Sequence, residues 1–402
     1  MRDDDEHLRA ALFRPLELPC GAVLKNRIAK SAMSDSLGDG RGDPTDTQIR
    51  LYRRWAEGGV AVAIVGEVQG DPRAAEKPGN LVLRPESDRA RFEALAGAGA
   101  ANGARLWLQL GQAGAMTHPP IGQPKGPSAL ELPGLTCAAL TLAEVQALPA
   151  EFARTAALAK SLGFGGVQVH AAHGFLLSQF LSPLFNRRDD AYGGGIAGRM
   201  RLVLEVVEAV RAAVGPDFPV ALKLNATDQL EGGLAEDEAL EVVAALDGLG
   251  LDLLDISGGT YFPGAKSASD GAGKGPYFLD FAKRARERTA MPLMATGGFK
   301  TLQQAGEAVA EGHVDMVGLA RALALDPALP KGWRDGTKGD PAFPRFAAPP
   351  EGGVTAWYTM RLAELGEDRE AEPAPDLEAA MRAYLERDAA RVPLWNARFR
   401  TR

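Results

Sequence analysis

The 402-residue sequence carries 45 Lys and Arg against 52 Asp and Glu, a formal charge of −7, and is 46% hydrophobic and 24% charged. That is the composition of a soluble globular chain with a sizeable core, and its mild acidity argues against nucleic-acid or membrane partners. The two cysteines, Cys20 and Cys137, lie far apart and outside any ligand-spaced cluster, which excludes a disulfide framework and a Cys-ligated iron–sulfur centre.

The opening MRDDDEHLRAALF is acidic and has no apolar stretch of signal-peptide type. No uncharged apolar run approaches the roughly 20 residues of a membrane helix. A cytoplasmic enzyme acting on a small molecule is the expectation. Short apolar runs then alternate with longer amphipathic stretches. Strands are predicted over 27–31, 60–65, 106–110, 166–169, 220–224, 253–256, 292–295 and 316–319. Most are near-continuously apolar, as parallel strands buried on both faces should be. Helical spacing covers 47–57, 142–161, 199–214, 236–249, 277–288 and 302–311. Eight β-then-α units predict an α/β fold, a (β/α)8 TIM barrel spanning 12–333, over a doubly wound sheet. The Pro- and Gly-rich segment 117–140 is expected to be a long loop after the third strand. Residues 334–402 read as a Gly/Pro-rich linker and a C-terminal helical extension, with helices over 355–364 and 377–391. The extension would pack on the barrel or on a neighbouring subunit, leaving a homo-oligomer open.

Polar residues at strand ends carry the candidate chemistry. His170 and His173 follow the fourth strand, in GFGGVQVHAAHGFLLSQF. Active sites of this architecture sit at the C-terminal ends of the strands. Two neutral imidazoles there could donate to a carbonyl or nitro oxygen; the alternative is a structural pair. HAAH lacks a third ligand of suitable spacing and is not HExxH, so no metal is expected. Lys223 in VALKLN is costly to bury unless paired, and would neutralise an anionic group at the barrel mouth or snorkel to its rim. Gln109 in LWLQLGQ can both donate and accept, which suits a pyrimidine-like edge. Gly297 and Gly298 after the seventh strand, with Ala320 and Arg321 after the eighth, occupy the usual phosphate position of such barrels. The phosphate could belong to FMN, to a sugar or to something else; otherwise the glycines are turn residues and Arg321 a surface charge. Gly193, Gly195 and Gly198 satisfy GxGxxG, but no buried strand precedes them, so a dinucleotide site is rejected.

From about Leu12 to Leu329 the chain resembles the Old Yellow Enzyme family of flavin-dependent reductases. The resemblance rests on LFRPLELPCGAVLKNRIAKSAMS, IVGEVQGDPRAAEKPGN, LWLQLGQAG, HAAHGFLLSQFLSPLFNRRDDAYGG, KLN, SGGTYF, KGPYFLDFAKR and ATGGFKT, in the family's order. It implies an FMN-binding barrel that uses NADH or NADPH. By that resemblance Ser31, Ala32, Met33 and Ser34 would line the flavin, with Ala32 where the family has proline. Ser34 would occupy the position that tunes flavin potential. Gly66 or Glu67 and Gln109 would contact the ring, and Lys223 its N1/O2 edge. Gly297, Gly298, Ala320 and Arg321 would hold the phosphate, and His170 and His173 the oxygen of an activated alkene. The family's tyrosine, which protonates the α-carbon after hydride transfer, is here Phe175. An ene reductase that leaves protonation to water or to Tyr261, and so prefers nitroalkenes, is the resulting expectation. A flavin-dependent dehydrogenase running the opposite way stays open, as does a cofactor-free barrel serving as a binding protein. The missing cysteine clusters disfavour the iron–sulfur-bearing relatives, and a phosphosugar isomerase or aldolase would not need the Gln109, Lys223 and paired-histidine set.

Overall fold

The computed structural model describes residues 2–262, 275–347 and 349–400, with side chains from residue 5 onward. Eight parallel strands close into a barrel: β1 (Ile28–Lys30), β2 (Val62–Gln69), β3 (Arg105–Leu110), β4 (Gly166–Ala171), β5 (Val220–Asn225), β6 (Leu253–Ser257), β7 (Leu293–Thr296) and β8 (Met316–Leu319). Each pairs with the next, and β8 returns to β1 through Gly318 opposite Ala29. The strand face toward the helices and the face toward the barrel axis are both buried, which is why the runs read as continuously apolar. Helices follow the strands at their amphipathic spacing. Arg201–Val214 buries Leu202, Val203, Val206, Val207 and Val210 on one stripe. Leu142–Ser161 opens with a capping box between Thr141 and Glu144.

The end of the barrel where the strands begin is plugged by a hairpin, Leu16–Glu17 paired with Val23–Leu24. Its Leu16, Leu18 and Leu24 pack on Ala29, Val62, Trp107, Leu253, Met294 and Met316. Chemistry is thereby confined to the other end.

Several elements depart from the sequence reading. Helices Arg2–Phe13 and Arg89–Gly99 were not anticipated. The segment 117–140 is not a loop throughout, since Lys125–Gly126, Leu130–Leu132 and Leu135–Ala139 form a small sheet. Pro133 and Gly134, with Gly134 at φ +79°, make its tight turn, and Leu130, Leu135 and Cys137 bury against Phe185 and Phe262. The second tail helix runs from Leu377 to Phe399, through Pro393 and beyond the expected end.

The tail lies on its own barrel. Arg54 and Arg50, from helix Asp46–Glu57, donate to the Leu365 and Gly366 carbonyls at the end of helix Gly353–Gly366. Trp395 is fully buried among Ala75, Val82 and Ile121, in the loops that leave β2 and β3. Arg391 donates to the Ser36 carbonyl at 2.6 Å. The tail therefore roofs the C-terminal mouth of the barrel.

Candidate active site

Under that roof is a cavity of about 440 Å³, within the range of small-molecule and cofactor sites. The segment leaving β1 contributes Ala32, Met33 and Ser34 to its wall, β2 contributes Glu67 and β3 contributes Gln109. The β4 end gives His170, His173 and Phe175, and β5 gives Lys223. Tyr261 comes from the loop after β6, Gly297 from the β7 end, and Ala320 and Arg321 from the β8 end.

Ser31, Gly66 and Gly298 stand behind this wall. A Cβ on Gly66 would fall 2.4 Å from the Met33 carbonyl oxygen, so glycine lets β2 approach the Met33 turn. Gly298 has φ +83° and sits where a Cβ would meet the Gly275 carbonyl at 1.9 Å; only glycine fits. Ser31 Oγ lies 2.8 Å from Thr296 Oγ1.

The histidines share a wall, ring centroids 5.3 Å apart. His173 holds a left-handed backbone, φ +62°, with its N–H on Asn225 Oδ1 and its Nε2 2.8 Å from Ser257 Oγ. A non-glycine residue kept in that conformation at a site mouth is strain that the surrounding contacts enforce. Burial, with the Lys223 charge nearby, brings its pKa down to about 3. His170 is pushed well below the ordinary range by burial, His173 and Lys223. Both are neutral, and His170 Nδ1 is buried without a hydrogen-bond partner. Phe175, 3% exposed, packs 4.8 Å from the His170 ring. Tyr261 is about half exposed, 5.6 Å from His173 and 6.4 Å from Phe175 between ring centroids.

Glu67 is buried, with φ +59°, and its Oε2 accepts from Asn80 Nδ2 at 2.6 Å. Burial and the nearby charge of Glu76 push its carboxyl well above the ordinary glutamate range.

Beneath the cavity the inward side chains of successive strands form a polar belt. Gln109 Nε2 donates to Gln168 Oε1 at 2.8 Å, and Gln168 Nε2 donates to Asp255 Oδ2 at 3.0 Å. Lys223 Nζ pairs with Asp255 Oδ2 at 3.0 Å, and Thr296 donates to Asp255 Oδ1 at 2.7 Å. Sequence reasoning found Lys223 and Gln109 but missed Gln168, Asp255 and Thr296. The same signal marks them, a polar residue in an otherwise apolar strand, as in VQVH, LLDIS and LMAT. The tail was missed as well: Tyr358, Thr359, Met381 and Tyr384 line the cavity, and Arg321 sits 5.5 Å over the Tyr358 ring.

The model of the NADH:flavin oxidoreductase / NADH oxidase family matches residues 11–338. The chain belongs to this family. It is 38% identical over 356 residues to the NADH-dependent flavin oxidoreductase iliE of Neonectria sp. (strain DH2), covering 79% of this chain and 46% of that protein. To the protein of the same name from Hypocrea jecorina (strain QM6a) it is 34% identical, covering 79% and 87%. Among solved structures it resembles morphinone reductase, with TM-score 0.71, 27% identity and coverage of 83% and 91%. The chain thus spans less than half of the Neonectria relative.

The flavin oxidoreductase family supplies the cofactor, FMN, and the reductant, NADH or NADPH. The cavity fits that group. It offers an apolar flank at Ala32 and Met33, hydrogen-bonding partners at Gln109 and Lys223, and a glycine-lined end beside Arg321. Among the described residues, no set of three His, Cys, Asp or Glu is placed to hold a metal ion. No described helix is long and apolar enough to cross a membrane.

Proposed function

We propose that this flavin oxidoreductase is an ene reductase for alkenes conjugated to a carbonyl or nitro group, with the proton-donating tyrosine replaced by Phe175. The observation that carries the reading is the pair of neutral histidines on the cavity wall, one with a buried, unpartnered ring nitrogen. FMN, when bound in the cavity, would supply hydride to the alkene.

Every other role falls to the chain. Ala32, Met33, Ser34, Glu67 and Gln109 hold the ring, with Ser31 and Gly66 supporting them. Lys223 would offset negative charge on the ring's N1/O2 edge. Gly297, Gly298, Ala320 and Arg321 take the phosphate. His170 and His173 donate to the substrate oxygen, and their donation strengthens as that oxygen gains charge. Each neutral ring has a single N–H, so each histidine makes one such donation. Phe175 has no proton to give the α-carbon. The Tyr261 hydroxyl, on a ring packed against His173 and Phe175, or water from the open side, takes that place. Nitronate products are stable without α-protonation, so nitroalkenes are the better substrates.

The test is steady-state turnover of nitrostyrene and cyclohexenone by the wild type and by His170→Ala and His173→Ala. Each histidine loss should cost about 10²–10³ in kcat, the size of one oxyanion donor, with FMN still bound. Unchanged turnover in both variants would remove the histidines from the mechanism.

A further inference from the structure

Lys223 is not an isolated cation under the cavity. β5 and β6 are paired with Lys223 directly opposite Asp255, and both side chains turn to the barrel axis, 1% and 0% exposed. One carboxylate buried so completely needs several donors, and Asp255 has three. Lys223 and Gln168 reach Oδ2, and Thr296 reaches Oδ1. Thr296 spends its single hydroxyl proton on Asp255, so Ser31 donates to Thr296. Gly318 makes room for that step: a Cβ there would lie 2.1 Å from Thr296 Oγ1 and 2.2 Å from Ser31 Oγ. On the other side Gln168 passes the constraint to Gln109, its neighbour across the β4–β3 register. Ser31, Gln109 and Lys223, all assigned to the flavin, are thus tied to a single carboxylate.

We propose that Asp255 is the positioning residue of the cofactor site: it fixes Lys223, Gln109 and Ser31 as one layer, and its charge offsets that of Lys223 so that the ion pair, not the lysine alone, sets the potential of bound FMN. This rests on Lys223 facing the flavin's N1/O2 edge. A reduced flavin is anionic there, and an uncompensated lysine would favour the reduced form. Asp255 opposes that bias. Because a buried pair is screened little by solvent, its charge acts at short range through low-dielectric surroundings.

The experiment is dye-equilibration potentiometry on the FMN-loaded wild type, Asp255→Asn, Lys223→Met and the double variant, with FMN affinity measured by fluorescence. Asp255→Asn should raise the potential by at least a tenfold shift in the reduced-to-oxidised ratio, about 30 mV for a two-electron couple. Lys223→Met should lower it, and the double variant should return toward the wild type. The double variant leaves no unpaired buried charge, so it keeps the test valid if Asp255→Asn alone does not fold. A double variant that matches Lys223→Met, or an Asp255→Asn that binds FMN with unchanged potential, would overturn the assignment. A Lys223→Met potential equal to that of the wild type would instead overturn the placement of Lys223 at the flavin edge, and the inference with it.

Discussion

Phe175→Tyr is the substitution that most sharply tests how this site handles protons. Phe175 lies on the cavity wall at the start of helix Leu176–Leu181, 3% exposed, between the His170 ring at 4.8 Å and the Tyr261 ring at 6.4 Å. Adding one hydroxyl changes little volume and puts a general acid where the proposed mechanism lacks one. A positioned general acid contributes about 10²–10⁴-fold. The lower end, 10², is about 2.7 kcal/mol of transition-state stabilisation. Against this stands the cost of a hydroxyl left without a partner, about 1–3 kcal/mol of stability. His170 Nδ1 is close by and lacks a partner, so the stability change should fall at the small end of that range. The assay is anaerobic steady-state kinetics with cyclohexenone and nitrostyrene, alongside urea unfolding. Enone turnover should rise by about 10²-fold while nitroalkene turnover changes by less than about threefold. A folded, FMN-loaded Phe175→Tyr enzyme with enone turnover unchanged would refute the claim that protonation is the missing function.

Tyr261→Phe should lower enone turnover by about tenfold or more if its hydroxyl is the substitute acid, and leave nitroalkene turnover alone; equal rates would assign the proton to water. Arg321→Ala should weaken FMN binding by about tenfold to about 150-fold, the loss of one charge-assisted hydrogen bond of about 1.5–3 kcal/mol, read by fluorescence titration of the apoprotein. Gly298→Ala places a Cβ against the Gly275 carbonyl at positive φ and should cost at least about 2 kcal/mol in urea unfolding. Glu67 binds its proton more tightly folded than unfolded. Between the ordinary glutamate range and its folded value the native state therefore holds the extra proton, and its contribution to stability falls as pH rises. Glu67→Gln should flatten the stability–pH profile and gain most above neutrality; a profile as steep as that of the wild type would contradict this.

The barrel is legible because parallel strands buried on both faces must be apolar throughout, and eight such runs leave few alternatives. The paired histidines and Lys223 are legible because polar groups are costly inside such strands. Asp255 carries the same signature in LLDIS, but nothing in its local sequence names the partner that gives it meaning. Its meaning comes from register: β5 and β6 set it beside Lys223, and no spacing along the chain reveals that neighbour. The tail is the harder case. Its helices show in the periodicity, but their docking depends on contacts more than 300 residues apart, such as Arg391 to Ser36 and Arg54 to Leu365. Tyr358 and Tyr384 thus enter the cavity with no local motif to announce them. The rejected glycine motif behaves as a turn and one short helix: Gly193 and Gly198 pack closely on backbone carbonyls, and Gly198 lies within the four-residue helix Ile196–Arg199.

The most direct test of ene reduction is anaerobic stopped-flow on the FMN-loaded enzyme, reduced with NADH or NADPH and mixed with nitrostyrene or cyclohexenone. The visible flavin band reports each half-reaction. Rapid reoxidation by nitrostyrene, and slower net reduction of cyclohexenone, is the predicted result. Flavin that is reduced by the nicotinamide but not reoxidised by either alkene would contradict the assignment.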